Sequence, residues 1–268
     1  MTTTPRALII TAPGINCDGE LGDAFESAGA VAESILLARL LRTPSEIDRF
    51  DLIGLPGGFS YGDDAGAGRV MAQLMRNGLY PALAAALERG VPMIAPCNGF
   101  QIAVQAGLLP GPEPGMSWPS DPHESRVSLV PNRSARFHDC WTRMTIPSET
   151  TCIWTQGLSC EGETGVLPSA HGEGQFYADE ETIGHLEASG QIAIRYAEGE
   201  NFNGSRNDIA GICDPSGLVF GLMPHPERYT RWTQHPLWTR LDASERSGDT
   251  LGLLMFRNAV NHARSVVS

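Results

Sequence analysis

The feature that most limits how this chain can fold is an alternation. Short, nearly unbroken apolar runs at Ala7–Thr11, Ser34–Leu37, Asp51–Leu55 and Val91–Ala95 are separated by stretches with helical spacing, at Gly19–Gly29, Ala67–Asn77, Tyr80–Arg89 and Gly99–Ala106. A run with no polar alternation reads as a strand covered on both faces, and strands joined through helices pair in parallel. Pro110–Pro122 is rich in Pro and Gly and reads as a surface loop. From Val127 onward strand-like runs dominate, at Thr151–Trp154, Gly165–Pro168, Gln191–Tyr196, Asp208–Cys213 and Leu218–Leu222, before a closing helix over Thr250–Arg264. No repeat or linker interrupts the pattern. The expectation is one α/β domain over residues 1–268, with a mostly parallel central sheet, helices on both faces and a smaller strand-rich C-terminal part.

Charge removes several function classes. The net charge is −12 and no basic run occurs, so neither nucleic acid nor an anionic membrane surface is an expected partner. The chain contains no lysine, which excludes a Walker-type phosphate loop and Schiff-base chemistry. The apolar run near the N-terminus is too short for a secretory signal, and no stretch approaches the roughly 20 apolar residues of a membrane span. The six cysteines form no C-x-x-C pair, and the spacing of Cys140, Cys152 and Cys160 fits no common zinc site. His123, His138, His185, His235 and His262 have no partner at ligand spacing and read as surface or core histidines. No metal site is expected, and a reducing cytoplasm is the expected compartment.

Chemistry concentrates at two places. Met93-Ile94-Ala95-Pro96-Cys97-Asn98-Gly99-Phe100-Gln101 runs a buried strand straight into a helix, with small residues at 95 and 99. A nucleophile elbow is built this way, and a helix N-terminus behind the thiol favours its anion and offers N–H groups to an oxyanion. A buried structural cysteine is the other reading of the same segment. The run Leu218–Leu222 leads to Met223-Pro224-His225-Pro226-Glu227-Arg228, which brings an imidazole and a carboxylate to a strand end. A thiol needs a base, and the base needs an acceptor to hold its tautomer. In open α/β sheets ligands gather at the carboxyl ends of strands. Alone, the His-Pro-Glu tripeptide also suits a solvated turn.

Taken with Leu55-Pro56-Gly57-Gly58-Phe59-Ser60-Tyr61-Gly62-Asp63, these segments resemble the class I glutamine amidotransferases. More narrowly they resemble the family of glutaminase subunits of phosphoribosylformylglycinamidine synthase, through Pro13–Asp18, Pro131–Phe137, Ala170–Gly174, Asn203–Ser205 and Ile209–Ile212. The resemblance covers essentially the whole chain. Departures are Ala95 where the family carries glycine, Pro96 where it carries an aliphatic residue, and Asp64–Gly68 in place of a segment containing arginine. The resemblance implies a flavodoxin-like sheet and a glutaminase of purine biosynthesis. Cys97 would attack glutamine, His225 would move protons and Glu227 would orient His225. The backbone N–H groups of Gly58 and Asn98 would hold the oxyanion, while Gln101, His171 and Gly172 would contact glutamine. It also implies that a large synthetase subunit, with or without a small third subunit, carries ATP and Mg, and that this chain carries no cofactor. Two rivals stay open: another cysteine hydrolase of this fold (a γ-glutamyl hydrolase or a peptidase), and a catalytically silent scaffold.

Overall fold

A computed structural model describes residues 4–267; residues 1–3 and 268 of the expected 1–268 domain lie outside the described residues. The first half alternates as its apolar runs require: β1 (Arg6–Thr11), α1 (Asp18–Ala28), β2 (Val31–Leu36), α2 (Leu37–Arg42), β3 (Leu52–Gly54), α3 (Arg69–Gly78), α4 (Tyr80–Glu88), β4 (Met93–Pro96) and α5 (Asn98–Gln105). The second half holds β5 (Ser128–Val130), β6 (His138–Thr145), β7 (Val166–His171), β8 (Gln175–Tyr177), α6 (Glu180–Ala188), β9 (Ile192–Tyr196), β10 (Ile209–Cys213), β11 (Val219–Leu222) and α7 (Leu251–Val267).

Among the described residues, nine strands form one sheet in the order β2-β1-β3-β4-β11-β10-β9-β6-β7, and β5 and β8 pair separately. From β2 through β11 every neighbour is parallel, including β11 beside β4. From β11 outward to β7 every pairing is antiparallel. The expected α/β architecture is present, and the strand-rich second half continues the central sheet.

The strand period of two sorts the core into two layers. Leu8 and Ile10 of β1 join one buried cluster, with Met71, Leu83, Phe100 and Ile183 from α3, α4, α5 and α6. Ala7 and Ile9 join the other, with Leu21 and Phe25 of α1 and Phe256 and Val260 of α7. Both faces are therefore covered. This is why the strands lack polar alternation, and truncating Ile10 to alanine would cost about 2–5 kcal/mol.

Local reading failed at three elements. Thr151–Trp154, expected to be a strand, is irregular at 151–152 and enters a turn that runs over 153–157. Its apolar character serves burial of another kind: Trp154 is fully buried edge-on to Phe25 and Phe256, and its Nε1 donates to the Leu218 carbonyl at 2.9 Å. The long strand β6 and the helix α6 were not anticipated. β6 is mixed in burial along its length, with no clean apolar period. The helix α6 is capped by Asp179, whose side chain accepts from the Thr182 N–H, a local signal present in the sequence.

Candidate active site

The turn after β4 is built by steric exclusion. Cys97 sits at φ 52°, ψ −111°, a left-handed conformation that costs a non-glycine residue free energy and that the surrounding structure must hold. Its N–H donates to the Leu222 carbonyl at 2.7 Å, which pins the turn to β11. At Gly99 a Cβ would fall 2.0 Å from the Leu55 carbonyl oxygen, so only glycine lets α5 start this close to β3. Cys97 is 6% exposed, and its sulfur lies 3.7 Å from the Ala170 carbonyl.

Register then brings in the second segment. Leu222 is opposite Pro96 in the parallel pair of β11 with β4, so both chains leave the sheet at one edge. His225 is fixed there by its N–H, which donates to the Pro168 carbonyl at 2.7 Å, and Pro226–Arg228 forms a single 3₁₀ turn. That turn folds Glu227 back on the ring: His225 Nδ1 donates to Glu227 Oε1 at 2.6 Å, and both residues are buried. Burial alone would push the imidazole pKa down. The Glu227 carboxylate and then the Cys97 sulfur outweigh it and hold the value up at about 10. Among the described residues, His225 Nε2 and Glu227 Oε2 are buried without a hydrogen-bond partner.

A second buried histidine has the opposite character. Asn132 Nδ2 donates to the Arg136 and His171 carbonyls at 3.0 and 2.8 Å, so its Oδ1 is left facing His171 Nδ1 at 3.1 Å. That contact places the ring proton on Nδ1 and leaves Nε2 as a bare acceptor, buried without a partner among the described residues. Burial first, then the neighbouring His225 and His138, lowers the His171 pKa to about 3, so the ring is neutral.

Cys97, His225, His171, Gly58, Gly172 and Gln101 all line one cavity of about 210 Å³. A cavity of about 350 Å³ lies elsewhere, and one of about 790 Å³ adjoins the first through Ala67, Gln101 and Glu173; neither is lined by a cysteine. Asn98 does not line the cavity. Its side chain instead braces the site, with Oδ1 accepting from Ser60 N–H at 3.1 Å and Nδ2 donating to Gln101 Oε1 at 2.8 Å, while its backbone N–H opens α5. Gln101 also donates to the Glu173 carbonyl, which ties α5 to the 171–174 loop.

Cys17 was not singled out as a site residue, although the Pro13–Asp18 motif contains it. Its sulfur accepts from Arg228 Nη2 at 3.1 Å, and Arg228 Nε donates to Glu20 at 3.0 Å. Burial and the Glu227 charge push the Cys17 thiol up to about 12. A Cβ on Gly57 would meet His225 Cε1 at 2.8 Å, Cys17 Sγ at 3.2 Å and Cys97 Cβ at 3.4 Å, so three distant segments converge on one glycine. Asn132 was likewise not assigned a role. Its position inside the Pro131–Phe137 motif was the available signal.

Comparison with known proteins shows which family the whole chain is similar to. The family model described as the CobB/CobQ-like glutamine amidotransferase domain matches residues 4–263. The chain is 39% identical to phosphoribosylformylglycinamidine synthase subunit PurQ of Dehalococcoides mccartyi, over 97% of this chain and 98% of that one. It is 33% identical to PurQ of Methanococcus maripaludis, over 96% and 97% of the two chains. Among solved structures, PurLQS from Thermotoga maritima matches with a TM-score of 0.70 and 30% identity, over 97% of this chain and 99% of that one.

Proposed function

Because this chain belongs to the CobB/CobQ-like glutamine amidotransferase family, alongside the PurQ subunits of phosphoribosylformylglycinamidine synthase, we propose that Cys97 is its nucleophile. The chain is a glutamine amidotransferase, the glutaminase subunit that serves purine biosynthesis in complex with a large synthetase subunit. Family membership sets aside the peptidase, γ-glutamyl hydrolase and scaffold readings.

The observation that carries the mechanism is the meeting of Cys97 with a hydrogen-bonded His225–Glu227 pair at one sheet edge. The Cys97 thiolate attacks the side-chain amide carbon of glutamine, and the carbonyl π electrons move onto oxygen. The N–H groups of Gly58 and Asn98 receive that oxyanion; one such donor is worth about 10²–10³ in rate. The intermediate collapses to a C–S thioester as the C–N bond breaks, and the His225 proton leaves with ammonia. His225 then takes a proton from water, which adds to the thioester and releases glutamate and the thiol. Glu227 holds the ring and stabilises its protonated form throughout. Gln101, His171 and Gly172 hold the substrate, and a cavity of about 210 Å³ suits a small amino acid better than a drug-sized ligand.

The remaining assignments belong to the same reading. The whole chain acts as one glutaminase domain without a cofactor of its own. ATP and Mg reside on the synthetase, with a small third subunit in the assembly. The free cysteines suit the cytoplasm, and among the described residues no helix is long and apolar enough to cross a membrane. The test is a bypass. In the assembled enzyme, Cys97→Ser should block product formation from glutamine and leave it intact with a high concentration of ammonium salt. Equal failure with both nitrogen sources would overturn the assignment.

A further inference from the structure

The dyad has a neighbour that the amide chemistry does not use. Cys17 Sγ, a His225 ring nitrogen and a Glu227 carboxylate oxygen all lie within 4.8 Å of one another, and all three residues are buried. Around a tetrahedral zinc ion with bonds of about 2.0–2.3 Å, ligand atoms stand ~3.5 Å apart, so closing this trio takes shifts of about an ångström. A second observation points to a ligand: Glu227 Oε2 is buried with no hydrogen-bond partner among the described residues. Thiolate, imidazole and carboxylate together form a zinc-type donor set and suit Mg or Ca poorly. Burial and the Glu227 charge raise the Cys17 thiol pKa, and Arg228, whose Nη2 donates to the sulfur at 3.1 Å, opposes them in part, so the charge of the ion itself is what deprotonates the thiol as it binds. At Gly57 a Cβ would fall 2.8 Å from His225 Cε1 and 3.2 Å from Cys17 Sγ, so only glycine lets these two groups pack against the same stretch of backbone.

We propose that Cys17, His225 and Glu227 form a binding site for a thiophilic divalent cation of the Zn²⁺ type, and that its occupation switches the glutaminase off. The ion takes the sulfur, one ring nitrogen and one carboxylate oxygen, and its fourth position stays open to water or to Cys97. Cys17 and His225 release protons to solvent as their bonds to the ion form, so apparent affinity climbs with pH. Inhibition follows because a metal-bound imidazole cannot move a proton and Glu227 no longer orients it. A chelator restores activity.

The loss of activity rests on the role proposed for His225, whereas binding of the ion does not, so the experiment reads binding separately. Co²⁺ is titrated into the full chain as wild type, Cys97→Ala and Cys17→Ser, and the sulfur-to-cobalt charge-transfer absorption is followed. Zn²⁺ competition in the same samples gives its affinity. The Cys97→Ala chain should keep the absorption, and Cys17→Ser should weaken Zn²⁺ binding by at least about 10–100-fold, the cost of losing even an outer-shell partner. Cys17→Ser replaces only sulfur by oxygen, and near-ultraviolet circular dichroism checks that the fold is kept. Absorption that vanishes in Cys97→Ala but survives in Cys17→Ser would mean that the ion merely caps the nucleophile, and would overturn the site. Unchanged Zn²⁺ affinity in Cys17→Ser would overturn it as well.

Discussion

Two buried histidines face the same cavity and differ in almost everything else. His225 and His171 are 1% and 3% exposed, yet one is held up at about 10 and the other is lowered to about 3. Burial acts in the same direction on both. The difference lies in what each Nδ1 touches: the Glu227 carboxylate at 2.6 Å in one case and the Asn132 amide at 3.1 Å in the other. A charged partner overrides desolvation, and a neutral one only selects a tautomer. One cavity thus holds a ring that can carry a proton and a ring that can only accept a hydrogen bond, which is a division of labour an amide hydrolase can use.

The largest effect should come from removing the charged ring. His225→Ala should lower glutaminase turnover by on the order of 10⁴-fold, the upper range of general acid–base catalysis, and nearly as far as Cys97→Ala. Steady-state ammonia release measures both. A His225→Ala enzyme with full activity would shift suspicion to His171 and dissolve the contrast.

Exchanging the partner should turn one site into the other. Glu227→Gln keeps the shape and removes the charge, so the His225 pKa should fall to or below its ordinary value, with about a 10²-fold loss of turnover. Histidine NMR titration reads the first effect and initial rates read the second. The reverse exchange is Asn132→Asp, which should raise the His171 pKa and leave the His171 and Arg136 carbonyls without a donor. That loss should cost about 1–3 kcal/mol for each carbonyl, read from the denaturant midpoint. A His171 titration that stays put in Asn132→Asp would show that burial, and not the partner, governs this pair.

The smallest effects are on stability against pH, and they have opposite signs. A folded value near 10 lies above the ordinary 6.5, so the contribution of His225 is complete below pH 6.5 and is lost as pH rises towards 10. A folded value near 3 lies below 6.5, so the contribution of His171 is present above pH 6.5 and is lost as pH falls towards 3. Denaturation midpoints across pH should therefore lose their alkaline slope in His225→Gln and their acid slope in His171→Asn. Slopes that persist in both variants would assign the pH dependence to other groups.

The sequence by itself determined whatever depends on neighbours along the chain. The doubly covered strands, the helices between them, the sharp turn at Cys97 and the His225–Glu227 pair are all local patterns, because burial on two faces removes alternation and a short 3₁₀ turn returns residue 227 to residue 225. Only the tertiary structure decided the rest. The non-strand segment Thr151–Trp154 is apolar because Trp154 plugs the layer between α1 and α7, which no local period distinguishes from a strand. β6 joins an antiparallel extension whose pairing is set by distant partners. Cys17 meets His225 and Glu227 across most of the chain, and the opposite charge states of His171 and His225 follow from which side chain the fold brings to each ring. Composition supplies the donors and acids, but an imidazole's pKa depends on charges within a few ångströms, and those distances exist only once the chain has folded.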